Sequence, residues 1–262
     1  MPIKTTHLFI TTPDGYSLDT LLKQSDNSDF IVVFAHGMTV NKDETIFIKA
    51  EELLNAADIS TLRFDFRAHG NSSGTPINDF TISKLLLDLE TIISYTETLG
   101  YKKIGLAGAS FGGGISALFA GKHPDKTGPL LLANPVLNFE QEFLFPTTPW
   151  TKLYFSNVKN DLNKQGYVEF QNINFKMGPQ LFQEMCKFNP SKTLQNYNQQ
   201  ILIIHGSVDQ KISYQNIQLT YQNLSTTNKE FITVAGGDHG FSIEPFCSEV
   251  ANHIFEYFVK VR

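Results

Sequence analysis

Short, continuous apolar runs alternate with amphipathic stretches along most of this chain, and that alternation leaves few architectures open. Residues 30–35, 60–66 and 103–107 are runs of the first kind, and they read as strands buried on both faces. Between them, residues 44–57 and 82–99 repeat apolar side chains at three- and four-residue intervals, as a helix with one buried face does. Residues 112–121 read as the next helix and 129–133 as another buried strand. Strand followed by helix, several times over, predicts an α/β fold with a mainly parallel sheet covered by its crossover helices. The opening stretch is different. Extended runs flank Pro13-Asp14-Gly15, and Asp-Gly between such runs predicts an antiparallel hairpin.

The alternation lapses over residues 136–197, which are irregular and aromatic-rich, then resumes with a strand at 201–204, a helix at 214–224, a strand at 230–234 and an amphipathic helix at 244–259. One core built from residues 1–135 and 198–262, interrupted by a small inserted cap at 136–197, is the expected organisation. Hydrophobic residues make up 41% of the 262 and charged residues 18%, a balance that supports one sizeable core. Inside the cap, residues 166–175 suit a small hairpin and 179–187 a helix with Leu181, Phe182 and Met185 on one side.

The formal net charge of -5 and the lack of a dense Lys/Arg run argue against nucleic acid or anionic lipid as a partner. Residues 1–10 lack the basic stretch and apolar core of a signal peptide, and no segment is apolar over a bilayer's thickness, so a soluble cytoplasmic protein is expected. Cys186 and Cys247 lie far apart without a CxxC partner, which suggests neither a disulfide framework nor a zinc site.

Gly108-Ala109-Ser110-Phe111-Gly112 sits between a strand and a helix, where small flanking residues permit a sharp turn that exposes the serine. No Gly-Lys-Ser/Thr follows, so phosphate cradling lacks its lysine. A serine hydroxyl needs a general base, and the base needs an acid to orient it. Of seven histidines, His239 alone lies in a Gly-rich loop between the last strand and the last helix, Gly236-Gly237-Asp238-His239-Gly240. His205, at a strand end, is a competing base for which a structural role is preferred. His36 and His69 precede glycines after strands and are read as fixing loop conformation, while His123 and His253 fall in or beside helices. Asp209 has the position of the acid, on a different sheet-end loop. Asp238 competes, but as a neighbour of His239 it points away from the imidazole, and Asp65 is read as tied into its own loop. The amide after the nucleophile, on Phe111, and the Met38 amide in His36-Gly37-Met38 are the expected oxyanion donors.

Ser110, Asp209 and His239 in that order, with His36-Gly37-Met38, Asn41-Lys42, Arg63-Phe64-Asp65-Phe66-Arg67-Ala68-His69-Gly70-Asn71-Ser72, His205-Gly206-Ser207-Val208-Asp209 and Gly237-Asp238-His239-Gly240-Phe241, resemble the α/β-hydrolase superfamily. More narrowly, the chain looks like the bacterial cinnamoyl/feruloyl esterase-like group and related serine aminopeptidase-like hydrolases. The resemblance implies an eight-stranded, mostly parallel sheet, a compact cap after the sixth strand, and hydrolysis through an acyl-enzyme without a cofactor. Ala68 departs from a frequent glycine, and Ala109 and Phe111 replace the His and Gln that often flank the serine in the esterase group.

Aromatic residues of the cap, Phe139, Phe143, Phe145, Trp150, Tyr154, Phe155, Tyr167, Phe170 and Phe175, could line an apolar pocket or form cap core. Met38, Phe111, Trp150 and Tyr167 are the residues expected to touch substrate. With no charged clamp evident, the expectation is a serine carboxylesterase acting on small apolar or aromatic acyl esters. An aminopeptidase or amidase, and a catalytically silent binding protein of the same fold, are the alternatives, and homodimerisation is left open.

Overall fold

A computed structural model describes residues 3–26 and 28–262. Its strands are β1 (Lys4–Thr11), β2 (Ser17–Gln24), β3 (Phe30–Ala35), β4 (Ser60–Phe64), β5 (Lys103–Ala109), β6 (Leu130–Ala133), β7 (Val168–Phe170), β8 (Phe175–Met177), β9 (Ile201–Gly206) and β10 (Lys229–Val234). Eight of them form one sheet in the order β1-β2-β4-β3-β5-β6-β9-β10. β2 runs antiparallel to both of its neighbours, and every pairing from β4 to β10 is parallel. This is the α/β-hydrolase fold, an eight-stranded, mostly parallel sheet flanked by helices.

Alternation within strands builds two apolar layers. On β3, Ile31, Val33 and Ala35 enter one layer, and Phe30, Val32 and Phe34 the other. The second layer is closed by the helices Thr45–Ala56 and Phe246–Val261, which bury Ile46, Phe47, Ala50 and Leu54, and Val250, Ala251, Ile254 and Phe258. The first is closed by Ile82–Thr98 and by Ser110–Lys122. The latter helix is buried all round from Phe111 to Gly121. That explains its glycines, which each cost about 1 kcal/mol in helix propensity. A Cβ on Gly114 would stand 2.5 Å from Val136 O, and one on Gly121 2.2 Å from Thr193 O, so the segment after β6 rests directly on the helix backbone.

Most element boundaries differ from expectation by one or two residues. β4 ends at Phe64 rather than 66 because the Phe66 N–H turns out of the ladder to His36 Nε2 at 3.0 Å. The small hairpin is displaced to β7 and β8, ending at Met177. Between β6 and β9 the chain also forms the short helices Pro149–Phe155, Val158–Gln165, Pro179–Met185 and Pro190–Thr193. Pro179–Met185 is the helix expected at 179–187, ending two residues sooner, whereas the helices at Pro149 and Pro190 start with proline behind Thr148 and Asn189, a start signal with too few following turns to establish a periodicity. Among the described residues no helix is long and apolar enough to cross a membrane, and both cysteines are free.

Strand order places the site. The chain passes from β3 to β4 on one side and then returns to β5 on the other. Loops leaving β3 and β5 therefore diverge, and a crevice opens at the strands' carboxyl ends. Ala35 and Gly108 are register partners there.

Candidate active site

The turn after β5 is tightly packed. Ser110 sits at φ +50°, a region that non-glycine residues rarely adopt. The glycines on either side must lack side chains because backbones converge there: a Cβ on Gly112 would lie 2.2 Å from His36 O, and one on Gly108 2.8 Å from Gly112 O. The turn lifts the Ser110 hydroxyl to the cleft surface, where Oγ is 2.8 Å from His239 Nε2. The other ring nitrogen, Nδ1, is 2.7 Å from Asp209 Oδ2. These residues come from the loops after β5, β9 and β10.

Asp209 is held rigidly. Its side chain is fully buried, and Oδ1 accepts the Lys211 and Ile212 N–H groups at 2.7 and 2.9 Å. Burial works against its charge, but the charge and hydrogen bond of His239 outweigh it and hold the carboxyl below the usual range, with help from His205 and the Ile212 amide. His205 Nε2 lies 3.4 Å from Asp209 Oδ2, and burial pushes this imidazole down to about 4. Asp238 turns away from His239 and caps the Phe241 N–H at 2.8 Å.

The loop after β3 is stitched to the loop after β4 by two more buried imidazoles. His36 lies between Phe66 N, whose proton Nε2 accepts, and Gly37 O, 2.7 Å from Nδ1. His69 accepts the Thr39 N–H at Nε2, 3.3 Å, with Nδ1 3.1 Å from Arg67 O. Both pairs of contacts require the neutral Nδ1–H tautomer, and burial lowers the two to about 4 and about 3. Beneath them Asp65 accepts the Lys42 N–H at 2.6 Å and the Asn71 N–H at 3.0 Å. Gly70, at φ +52°, leaves room for that carboxylate, since a Cβ there would stand 1.9 Å from Asp65 Oδ2.

The cleft itself has a volume of about 80 Å³ and is lined by Met38, Val40, Ile46 and Phe241 together with Ser110 and His239. Of the four residues expected to touch substrate, Met38 lines it. Phe111, Trp150 and Tyr167 do not, and the reason is packing. The Phe111 ring is buried between Phe80 and Phe139, at 4.9 and 4.7 Å between centroids. Trp150 packs on Phe155 and Phe170 at 5.7 and 5.3 Å. Tyr167 lies beneath Lys176 Nζ, 4.7 Å from its ring centroid. None of the nine aromatic residues singled out between 139 and 175 lines the cleft. Most of them form a mutual cluster continuous with the core, while Phe145 is largely exposed.

Three polar residues of the site escape a reading from sequence. Glu44 and Lys211 line the cleft, whereas no charged group was evident there from sequence. Glu44 Oε2 is 3.4 Å from Gly37 N, and burial raises its carboxyl to about 7 against the pull of that amide and of Lys211. Asn134, directly after β6, hydrogen-bonds the backbones of both Gly206 and His239. Only a polar residue ending an apolar strand hints at that role. Among the described residues no three His, Cys, Asp or Glu side chains gather as a metal site would.

Comparison with known proteins adds a family. The model of the family described as serine aminopeptidase, S33, matches residues 26–245. An uncharacterized protein of Acanthamoeba polyphaga mimivirus, R595, is 27% identical over 241 residues, 88% of this chain and 74% of that protein. Among solved structures, Est1E from Butyrivibrio proteoclasticus with ferulic acid bound superposes with a TM-score of 0.83 at 21% identity, covering 97% of this chain and 98% of that one. Alpha/beta hydrolase domain-containing protein 10 from mouse gives 0.80 at 15%, covering 98% and 100%. The Pyrococcus furiosus esterase Pf2001 gives 0.75 at 21%, covering 99% and 92%. At these identities the structures share the fold.

Proposed function

The chain belongs to the serine aminopeptidase S33 family, and from that premise we propose that it is a serine carboxylesterase with Ser110 as nucleophile, His239 as general base and Asp209 as the acid that orients His239. One observation carries the reading: a single imidazole bridges Ser110 Oγ and Asp209 Oδ2 at 2.8 and 2.7 Å. In this scheme Ser110 attacks the ester carbonyl while its proton passes to His239 Nε2. The imidazolium, stabilised by Asp209, then gives that proton to the departing alcohol, and water cleaves the acyl-enzyme by the same route. The Phe111 and Met38 amides would donate to the oxyanion. Residues 136–197 would be an inserted cap, and the substrate a small-molecule ester.

Cleft size supports a short acyl group. A cavity of about 150 Å³ holds benzene, so one of about 80 Å³ suits a chain of a few carbons better than an aryl group. An aminopeptidase would hold its substrate's free amine with carboxylates. Here Glu44 is the carboxylate lining the cleft, it is half-neutral near pH 7 and Lys211 lines the same cleft, which favours an ester.

A fluorophosphonate probe tests the mechanism: it should label wild-type protein at Ser110 and leave Ser110→Ala unlabelled. A panel of p-nitrophenyl esters should then show turnover falling as the acyl chain lengthens and be lost in Ser110→Ala. Folded wild type that neither takes the probe nor turns over any ester would identify a silent member of the fold.

A further inference from the structure

We infer that Lys211 is a specificity residue that takes an anionic group, in its simplest form a carboxylate, on the ester substrate. The inference rests on the reading of Ser110 as nucleophile. Lys211 follows Asp209 on the same loop, and its backbone is fixed from two sides: its N–H donates to Asp209 Oδ1 at 2.7 Å, and its carbonyl accepts the Thr148 hydroxyl at 2.9 Å. The side chain has a defined place as well. It lines the cleft with Ser110 and His239, half-buried, with Nζ 5.3 Å from the centroid of the Trp150 ring.

The ammonium is left without a polar partner. Among the described residues no carboxylate makes an ion pair with Lys211, and Nζ donates no hydrogen bond to protein. A lysine with three donors normally extends its head into water. This one lies against an aromatic face at the edge of the catalytic cleft, which favours a cation but leaves its donors free. Glu44 lines the same cleft, yet it faces the Gly37 N–H and forms no ion pair with Lys211. Burial keeps much of its carboxyl protonated near neutrality, so the fixed charge that an incoming group meets is mainly positive. An anion entering the cleft gains a charge-assisted hydrogen bond that a neutral substrate does not.

Matched esters test this. Mono-p-nitrophenyl succinate carries its carboxylate on the acyl chain and is compared with p-nitrophenyl butyrate; 4-carboxyphenyl acetate carries it on the leaving group and is compared with phenyl acetate. The ratio of kcat/KM for the charged to the neutral ester should fall about tenfold or more from wild type to Lys211→Met in one of the two pairs, and Lys211→Arg should retain it. The pair that responds identifies the side of the substrate that Lys211 faces. A second readout needs no variant: raising salt from about 0.05 to about 0.5 M should lower wild-type kcat/KM more for the charged ester of that pair than for its neutral partner. Equal ratios in wild type and Lys211→Met for both pairs, or equal salt dependence, with neutral-ester turnover present, overturn the role of Lys211 alone. Absence of Ser110 labelling and of all turnover overturns the esterase reading and this inference with it.

Discussion

Asn134 ties the loop of His239 to the end of β9, from which the Asp209 loop leaves: its Nδ2 donates to His239 O at 2.6 Å and to Asp238 O at 3.1 Å, while its Oδ1 accepts the Gly206 N–H at 2.9 Å. The residue itself stands at φ +43°, where asparagine is tolerated better than most side chains. Asn134→Ala removes three hydrogen bonds and leaves a less suited residue in that conformation. It should cost about 2–4 kcal/mol of stability, read from the urea midpoint, and lower kcat more than it raises KM for a p-nitrophenyl ester. A variant with wild-type kcat would mean that His239 is positioned without Asn134.

The contact between Asp209 and His239 makes a sharper prediction. Asp209→Asn keeps the shape of the side chain but presents a neutral group that can hold the imidazole in the wrong tautomer. By analogy with other triads, kcat should fall on the order of 10³–10⁴-fold with KM little changed. His205, 3.4 Å from the same oxygen, is a second imidazole there but has no path to Ser110. His205→Asn should therefore cost far less activity than His239→Asn, measured on the same ester.

Close approach at the Ser110 turn predicts a large effect from a single methyl group. A Cβ on Gly112 would stand 2.2 Å from His36 O and 2.4 Å from Ala35 O, backbone atoms that cannot move without displacing β3 and the Met38 loop. Gly112→Ala should destabilise the protein by about 3 kcal/mol or more, with loss of fluorophosphonate labelling before loss of the helical circular dichroism signal.

The sheet and the three residues Ser110, Asp209 and His239 could be read from the chain because their signals are local. A run such as Phe30–Ala35 is buried on both faces, Ser110 follows directly on β5, Asp209 comes three residues after the end of β9, and His239 lies in a short glycine-rich loop. The pocket could not be read in this way. Phe111 is next to Ser110 in sequence, yet its side chain points into the core between Phe80 and Phe139, because a residue on a helix start can face either way. Glu44, 66 positions before Ser110, enters the cleft only because β3 and β5 are neighbours. Asp14, read as a turn residue, also pairs with Arg67 across 53 positions, a contact that no periodicity announces.

That contact leads to a further prediction. Arg67 is fully buried, with Nη1 and Nη2 on Asp14 at 2.7 and 3.0 Å and Nε on Asp88 Oδ1 at 2.8 Å. The guanidinium holds Asp14 down at about 2, while burial raises Asp88 to about 6 in spite of it. Arg67→Leu would leave the Asp88 carboxyl buried with no cation, and should cost about 3–5 kcal/mol near pH 7. Asp88→Asn in the same background should recover part of that loss, as the double-mutant cycle in urea would report.

Glu44 gives the protein a pH dependence of definite sign. Burial raises its carboxyl from 4.5 to about 7, so the folded state keeps a proton that the unfolded chain has already released. Stability from this group is therefore greatest below 4.5 and declines as pH rises through that window, the decline being complete above about 7. Glu44→Gln removes the titration and can still accept the Gly37 N–H. Its stability relative to wild type should be flat at low pH, then rise by on the order of 1–3 kcal/mol between about pH 4.5 and about pH 7, and level off beyond. Urea midpoints from about pH 4 to about pH 8 measure this. A difference independent of pH would show that water reaches the carboxyl freely, and that the cleft beside Ser110 is more open than its lining suggests.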